Sequence, residues 1–550
     1  MRAPISVMLL ERRFVADYAR NPVNLLLLVL VPVVFVVAAA GSLADAAALL
    51  GGSDAGAAVP TVTAGWAAAF LAGIAMYFQT GSAHDVDRRL VISGLRPARL
   101  VAARLAAGLA LAVLAAAAAL AALAVLTGID DPVRVVAGTL MFALIYLGIG
   151  ALVGALVRNP VNGTVLVMFV WILDVFFGPA IGTPDAAATR GLPTHFVTLW
   201  MADLPLRHGG RLGDLGVALV WTIAAAAAAF VVTWATTRTG RRRHESRPGS
   251  ARDQLAATAV AGWRDWRRNP VLWVLLAVVP AVFILLAQAV TPHRPTQLTV
   301  VEDGRRLITT FDVAHIHAGT MAPIAVAALA TLAGLFVALD THAGDRRLVL
   351  AGIRPTALLA ARLGIVGAAA TLATGVSLAV TATVFQPHQW AWYAAANLML
   401  ALTYALVGVL LAPVFGRVAG VFVAFLLPFL DLGIGQSPML NSQPAGWATY
   451  LPGYGGGRVL IDAAVTSSFD ALGPLLVALG WIIALAVAAA FLLTGSLTPA
   501  GPVEHLANSP SGPDGTPRPG SPTPASQHAI GPSVTRLPQA THGINEPRPT

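Results

Sequence analysis

The sequence predicts an all-α integral membrane protein, with about twelve spanning helices in two tandem parallel six-helix repeats. Three observations carry that expectation. Runs of about 20 apolar residues, the length that crosses a bilayer as a helix, recur along the chain. Charged residues make up 11% of the total, where a soluble domain carries roughly 25%. Finally, the stretch His84 to Leu105, HDVDRRLVISGLRPARLVAARL, returns at His342 to Leu363 as HAGDRRLVLAGIRPTALLAARL, with 14 of 22 positions identical and an apolar segment on either side of each copy.

The elements follow in order. Residues 5–20 are too charged to span. Val7, Leu10, Phe14 and Tyr18 share one helical face, and Arg13, Asp17 and Arg20 another, so the segment reads as a helix lying in the membrane interface. The apolar run from Val23 to Ala40 is longer than the core of a cleavable signal. Spanning helices are expected at about 23–43, 62–82, 98–127, 133–157, 161–181 and 214–236. A basic linker, 238–253, closes a first unit of residues 1–237.

The pattern then restarts. WRDWRRNPV at 263–271 echoes ADYARNPV at 16–23, so Asp265 and Arg268 stand where Asp17 and Arg20 stand in the first interfacial helix. Pro280 and Phe283 repeat Pro32 and Phe35. The second unit, 254–496, is expected to span at about 271–291, 319–339, 356–385, 390–415, 418–435 and 471–494. The tail, 497–550, is rich in Pro, Ser, Thr and Gly and reads as disordered.

Arginine orients the chain. With the N-terminus inside, the cytoplasmic segments hold 27 Arg and the outer loops 8. Six helices per unit give both units the same orientation, so the repeats are parallel. Among the outer loops, 44–61 is short and rich in Gly and Ala, 292–318 holds a candidate strand at Gln297 to Val301, and 182–213 and 436–469 suit short re-entrant helices.

Composition also excludes functions. There is no Cys, so no disulfide or Cys-based metal site can form. There is no Lys either, which removes the phosphate-binding Lys of a P-loop; the chain is not itself a nucleotide-hydrolysing enzyme of that kind. The net charge of +9 does not point to nucleic acid, because the Arg residues gather at helix ends and short loops.

The duplicated stretch holds the residues with most to say. Each copy has an Asp-Arg-Arg triplet, Asp87-Arg88-Arg89 and Asp345-Arg346-Arg347, followed by a Gly-x-Arg-Pro turn carrying Arg96 or Arg354. Gly favours the position past a helix end and Pro the first turn of the next helix. This predicts a short charged helix, a tight turn, and a spanning helix with Arg104 or Arg362 just inside it. A positive anchor alone does not require Asp, Gly and Pro at fixed spacing twice; a docking surface for a partner does.

The chain resembles permeases of the ABC-2 type transporter family, with two six-helix units fused over about residues 5–495. In that family an interfacial helix precedes the first span, a coupling helix between the second and third spans contacts the ATPase, and short outer re-entrant helices join the fifth and sixth. The resemblance implies that Asp87, Arg88, Arg89, Arg96, Asp345, Arg346, Arg347 and Arg354 are coupling residues. It implies an ATPase partner in two copies carrying ATP and Mg, and a bacterial cytoplasmic membrane with both termini inside. It implies no cofactor on this chain, and a cavity suited to a lipophilic small molecule. Leu451-Pro452-Gly453-Tyr454 resembles the family's segment before the last helix; the first unit has Leu192-Pro193-Thr194-His195 there.

A secondary transporter of the major-facilitator kind is the competing reading. Its loop motif places Gly before the basic pair, whereas here Gly94 and Gly352 follow it. Two intramembrane acids remain. Asp174 and Asp431 lie late in the two fifth helices, where a charge is costly and therefore informative. They are read as acceptors for the outer re-entrant segments, with a gate or a cationic-substrate contact as the alternative. No metal site is expected; His315 and His317 are read as solvated loop residues.

Overall fold

A computed structural model describes residues 7–50, 53–181, 187–202, 210–238, 270–350, 355–440, 443–444 and 446–497. Most of the linker 238–253, the second interfacial stretch with Asp265 and Arg268, Arg354, and the tail beyond 497 lie outside them. The described residues fall within one unit that ends at Thr498.

The first half runs α1 (Val7–Ala19), α2 (Pro22–Leu50), α3 (Ser53–Gly81), α4 (His84–Ile92), α5 (Pro97–Leu126), α6 (Pro132–Leu156), α7 (Pro160–Phe176), α8 (His195–Ala202) and α9 (Gly210–Arg238). The second runs α10 (Pro270–Val290), a hairpin of β1 (Pro295–Glu302) and β2 (Arg305–Asp312), then α11 (Val313–Leu350), α12 (Pro355–Thr381), α13 (Trp390–Pro428), α14 (Tyr454–Val465) and α15 (Leu472–Leu497). Among the described residues nine helices are long and apolar enough to cross a membrane, and two shorter apolar helices lie in α7 and α10. The chain is a helical, multi-pass membrane protein.

Local chemistry explains the boundaries. Pro opens α5, α6 and α7, where its missing N–H would have no partner. Asp131 and Asn159 cap α6 and α7 through their side-chain oxygens. Gly416, with φ 66° and ψ −158°, breaks the 390–435 run at the expected point between two spans.

The structure corrects three expectations. The loop at 44–61 is mostly helix: α2 continues to Leu50 and α3 begins at Ser53, because Ala and Leu are strong helix formers. The lone strand at 297–301 is one arm of a hairpin pairing Glu302 with Arg305 and Pro295 with Asp312. Its turn, Asp303-Gly304, has positive φ at both residues, 51° and 72°, and Asp-Gly between alternating residues is the signal that reveals it. Third, only the first Asp-Arg-Arg triplet lies on a separate short helix. Ser82 turns its hydroxyl onto the Phe78 carbonyl at 2.5 Å, and α3 ends before α4 begins. In the second copy α11 runs on as helix through residues 345–347 to Leu350.

The cores of the halves are built alike. α3 and α11 are mostly buried, whereas α9 and α15 are mostly exposed. The second helix of each half is therefore central and the last one faces outward. At Gly150 a Cβ would fall on the Gly73 carbonyl oxygen, and at Gly408 on the Thr331 carbonyl oxygen, so α6 meets α3, and α13 meets α11, backbone to backbone. The register that aligns His84 with His342 also aligns these glycines.

The halves meet through α2 against α13 and α10 against α7. Aromatic rings fill the seam: Phe70 lies 4.9 Å from Phe425, Trp171 5.3 Å from Phe425, and Phe35 5.9 Å from Phe429. Rings of this size contribute large buried areas and prefer such offset or edge contacts.

Candidate functional site

At one end of the bundle α4 packs against the spans along one side and leaves its other face open. Its last turn is closed by hydrogen bonds from Ser93 N to Arg89 O at 2.9 Å, Gly94 N to Val91 O at 3.0 Å and Leu95 N to Leu90 O at 3.0 Å. Gly94 takes φ 100°, a conformation that a side chain would strain. Arg88, Arg89 and Arg96 are exposed, and so are Val86 and Ile92. The free face of α4 thus mixes guanidinium groups with apolar side chains and, in its first turn, the exposed Asp85 carboxylate.

Asp87 turns the other way. It is buried and forms an ion pair with the buried Arg104 of α5. The same guanidinium donates to the Gln79 carbonyl at 2.9 Å and lies 4.4 Å from the centre of the Phe14 ring in α1. One Arg thereby ties together α1, the end of α3, α4 and α5. His84 adds a contact to the Gly154 carbonyl at 2.9 Å.

In α1, Leu10 and Tyr18 are buried while Arg13 is exposed. Asp17 and Arg20 pair with each other at 2.8 Å on the surface. Such an exposed pair contributes little to stability. In the second half Asp345, Arg346 and Arg347 fall on the last turns of α11, and Arg417 pairs with Asp340 nearby on that helix.

The opposite end carries two matching clasps. Asp174 accepts from Tyr146 Oη at 2.9 Å, from Thr194 Oγ1 at 2.6 Å and from Thr194 N at 3.3 Å. Asp431 accepts from Tyr404 Oη at 2.5 Å, from Gly453 N at 2.7 Å and from Gln436 Nε2 at 3.3 Å. Each buried carboxylate thus joins the fourth and fifth apolar helices of its half to the segment that leads into α8 or α14. Thr194 and Gly453 hold the same place in Leu-Pro-Thr-His and Leu-Pro-Gly-Tyr.

Beside the aromatic seam at this end lies an apolar chamber of about 1100 Å³, open mouth included. Side chains of α2, α7, α10, α11 and α13 line it, so both halves contribute. His317, at the start of α11, is among them and is buried, not solvated as expected; His315 is the exposed one. The outer-loop reading missed that α11 begins at Val313. Among the described residues no three His, Asp or Glu side chains gather as metal ligands.

Residues 55–235 match a family model described as ABC-2 family transporter protein. Over that stretch the chain is similar to ABC-2 family transporters. No curated protein is similar enough in sequence to add a closer relative.

The ABC-2 match runs from α3 to α9 and so contains α4, Arg104 and the Tyr146–Asp174 clasp. The second half lies beyond it. Three residues of the site escaped sequence reasoning. Tyr146 and Tyr404 look like ordinary core aromatics, and only their near-equal spacing to Asp174 and Asp431, 28 and 27 residues, could have flagged them. Phe14 was placed on the right face of α1, but its stacking on Arg104 has no sequence signal.

Proposed function

We propose that the chain is the membrane permease of an ATP-driven exporter, in which α4 couples to a separate ATPase. The observation that carries this reading is the division of labour in the first triplet. Asp87 is locked into the bundle through Arg104, while Arg88 and Arg89 face outward beside Val86 and Ile92. A helix anchored on one side and mixed basic and apolar on the other suits a partner with carboxylates around an apolar pocket. Arg96 sits one turn away and extends the basic surface. Asp345, Arg346, Arg347 and Arg354 would serve a second ATPase copy.

In this reading α4 and both chain termini face the cytoplasm of a bacterial cell, and twelve spans form two parallel repeats. The α1 residues Arg13, Asp17 and Arg20, with Asp265 and Arg268 in the second repeat, lie at the headgroups. ATP and Mg are held by the partner. The seam between the halves is the substrate pathway. Asp174 and Asp431 act as clasps that hold the outer segments.

The test is co-purification. The tagged chain is co-expressed with candidate ATP-binding-cassette ATPases, and the complex is assayed for ATP-dependent transport into inverted vesicles. Stable association, with transport lost on reversal of Arg88 and Arg89, supports the reading; association and transport that ignore α4 overturn it.

A further inference from the structure

We propose that the chamber takes a lipophilic molecule carrying a hydrogen-bond donor, and that Nε2 of His317 is the acceptor that selects it. This deepens the permease reading, since the chamber lies on the boundary that a transported molecule would cross.

The argument starts at Thr291. Its hydroxyl lies 2.5 Å from the Ala287 carbonyl oxygen and 2.7 Å from Nδ1 of His317. A carbonyl can only accept, and a hydroxyl has one proton to give. Thr291 therefore donates to Ala287, and Nδ1 of His317 must donate to Thr291. A neutral imidazole has a single N–H, so Nε2 is left with a lone pair. Nε2 has no hydrogen-bond partner among the described residues, and His317 lines the chamber.

The rest of the wall is chiefly Phe, Met, Ile and Ala, with the hydroxyls of Ser42 and Ser437. Hydroxyls both give and take, so they do not discriminate. Nε2 does: it rewards a phenol, alcohol or amide N–H and gives nothing to an ether or a plain hydrocarbon. In an apolar site, a polar group left without its partner is costly, which turns one acceptor into selectivity.

The α11 wall of the chamber differs from the corresponding stretch of α3. The register that aligns His84 with His342 places Val59 at His317, Trp66 at Ile324 and Phe70 at Ala328. Val59, Trp66 and Phe70 are all buried. Larger rings thus stand in the first half where the second half leaves room, and the acceptor is replaced by an aliphatic group.

The experiment uses the full chain in lipid nanodiscs without any ATPase. Two photoreactive probes share one diazirine-bearing alkyl tail; one ends in a phenol and the other in its methyl ether. Labelled peptides are mapped by mass spectrometry. The phenol should label peptides holding Met321, Phe429 or Met439 roughly three- to tenfold more than the ether, the range of one net hydrogen bond. His317→Phe should bring phenol labelling down to the ether level, and His317→Gln, which keeps an acceptor, should restore part of the preference. Ala328→Phe should abolish labelling by both probes, and Ile324→Trp provides the same test from another position on that wall. Equal labelling of the wild type by both probes would mark a space that any acyl chain fills, and would overturn the proposal. So would a phenol preference that survives His317→Phe, or labelling that survives both filling variants. Failure of the chain to bind an ATPase would sink the permease reading and leave these labelling results unchanged.

Discussion

The carboxylate of Asp87 is buried against the guanidinium of Arg104, so this charge of the first triplet fixes α4 to the bundle and does not face outward. Removing one partner strands the other in a low-dielectric site. Asp87→Ala or Arg104→Ala should each destabilise the protein by about 3–5 kcal/mol. The double change Asp87→Leu with Arg104→Met should cost much less. Thermal unfolding in detergent measures all three, and additive losses would mean that the pair does not act as a pair.

Arg88 and Arg89 behave differently in this scheme. They are exposed, so Arg88→Glu with Arg89→Glu should leave folding unchanged. Binding of the ATPase should weaken roughly tenfold or more, as expected for lost charge-assisted hydrogen bonds. Pull-down of the ATPase alongside melting of the chain itself separates the two effects.

The clasps give a graded series. Tyr146→Phe and Tyr404→Phe each remove one interhelical hydrogen bond within the membrane, worth about 0.6–1.7 kcal/mol. Asp174→Ala and Asp431→Ala leave several buried donors without an acceptor and should each cost about 3 kcal/mol or more. Asp174→Asn retains an acceptor oxygen and should fall between. Loss of transport with full stability in the Asn variant would instead assign Asp174 a direct role in the pathway.

Backbone contact between the central helices can be tested at glycines. Gly150→Ala and Gly408→Ala place a Cβ on a carbonyl oxygen of the neighbouring helix, and overpacking of this kind costs about 1–3 kcal/mol or more. Gly364→Ala meets nothing within 4 Å and should be neutral or stabilising, since Ala favours helix over Gly. Unfolding midpoints that rank the three otherwise would refute the close crossing.

The hairpin has a pH signature. Ser467 donates its hydroxyl at 2.5 Å and its N–H at 3.1 Å to Glu302, which holds that carboxyl below the ordinary glutamate range. A depressed folded value means that the tether is fully present above the unfolded value of about 4.3 and fades as pH falls through the folded one. Amide exchange in β1 and β2 should therefore accelerate in acid, after correction for intrinsic rates, in the wild type but much less in Glu302→Gln. Equal acceleration in both would assign it to another group.

The sequence by itself determined much of this protein. Apolar run length set the membrane class, since an unpaired backbone in lipid forces helices. The two copies of His-x-x-Asp-Arg-Arg and Gly-x-Arg-Pro located α4, its turn and the start of α5, because Gly and Pro act locally. Leu10, Phe14 and Tyr18 marked the inner face of α1 through helical period alone. What only the tertiary structure decided is who faces whom. No local rule says that Asp87 turns inward while Arg88 and Arg89 turn out, that Tyr146 and Tyr404 reach acids 28 and 27 residues further along the chain, or that His317 is buried beside Thr291. Those outcomes depend on helices brought together from distant parts of the chain, where desolvation makes each buried charge or hydroxyl find a partner.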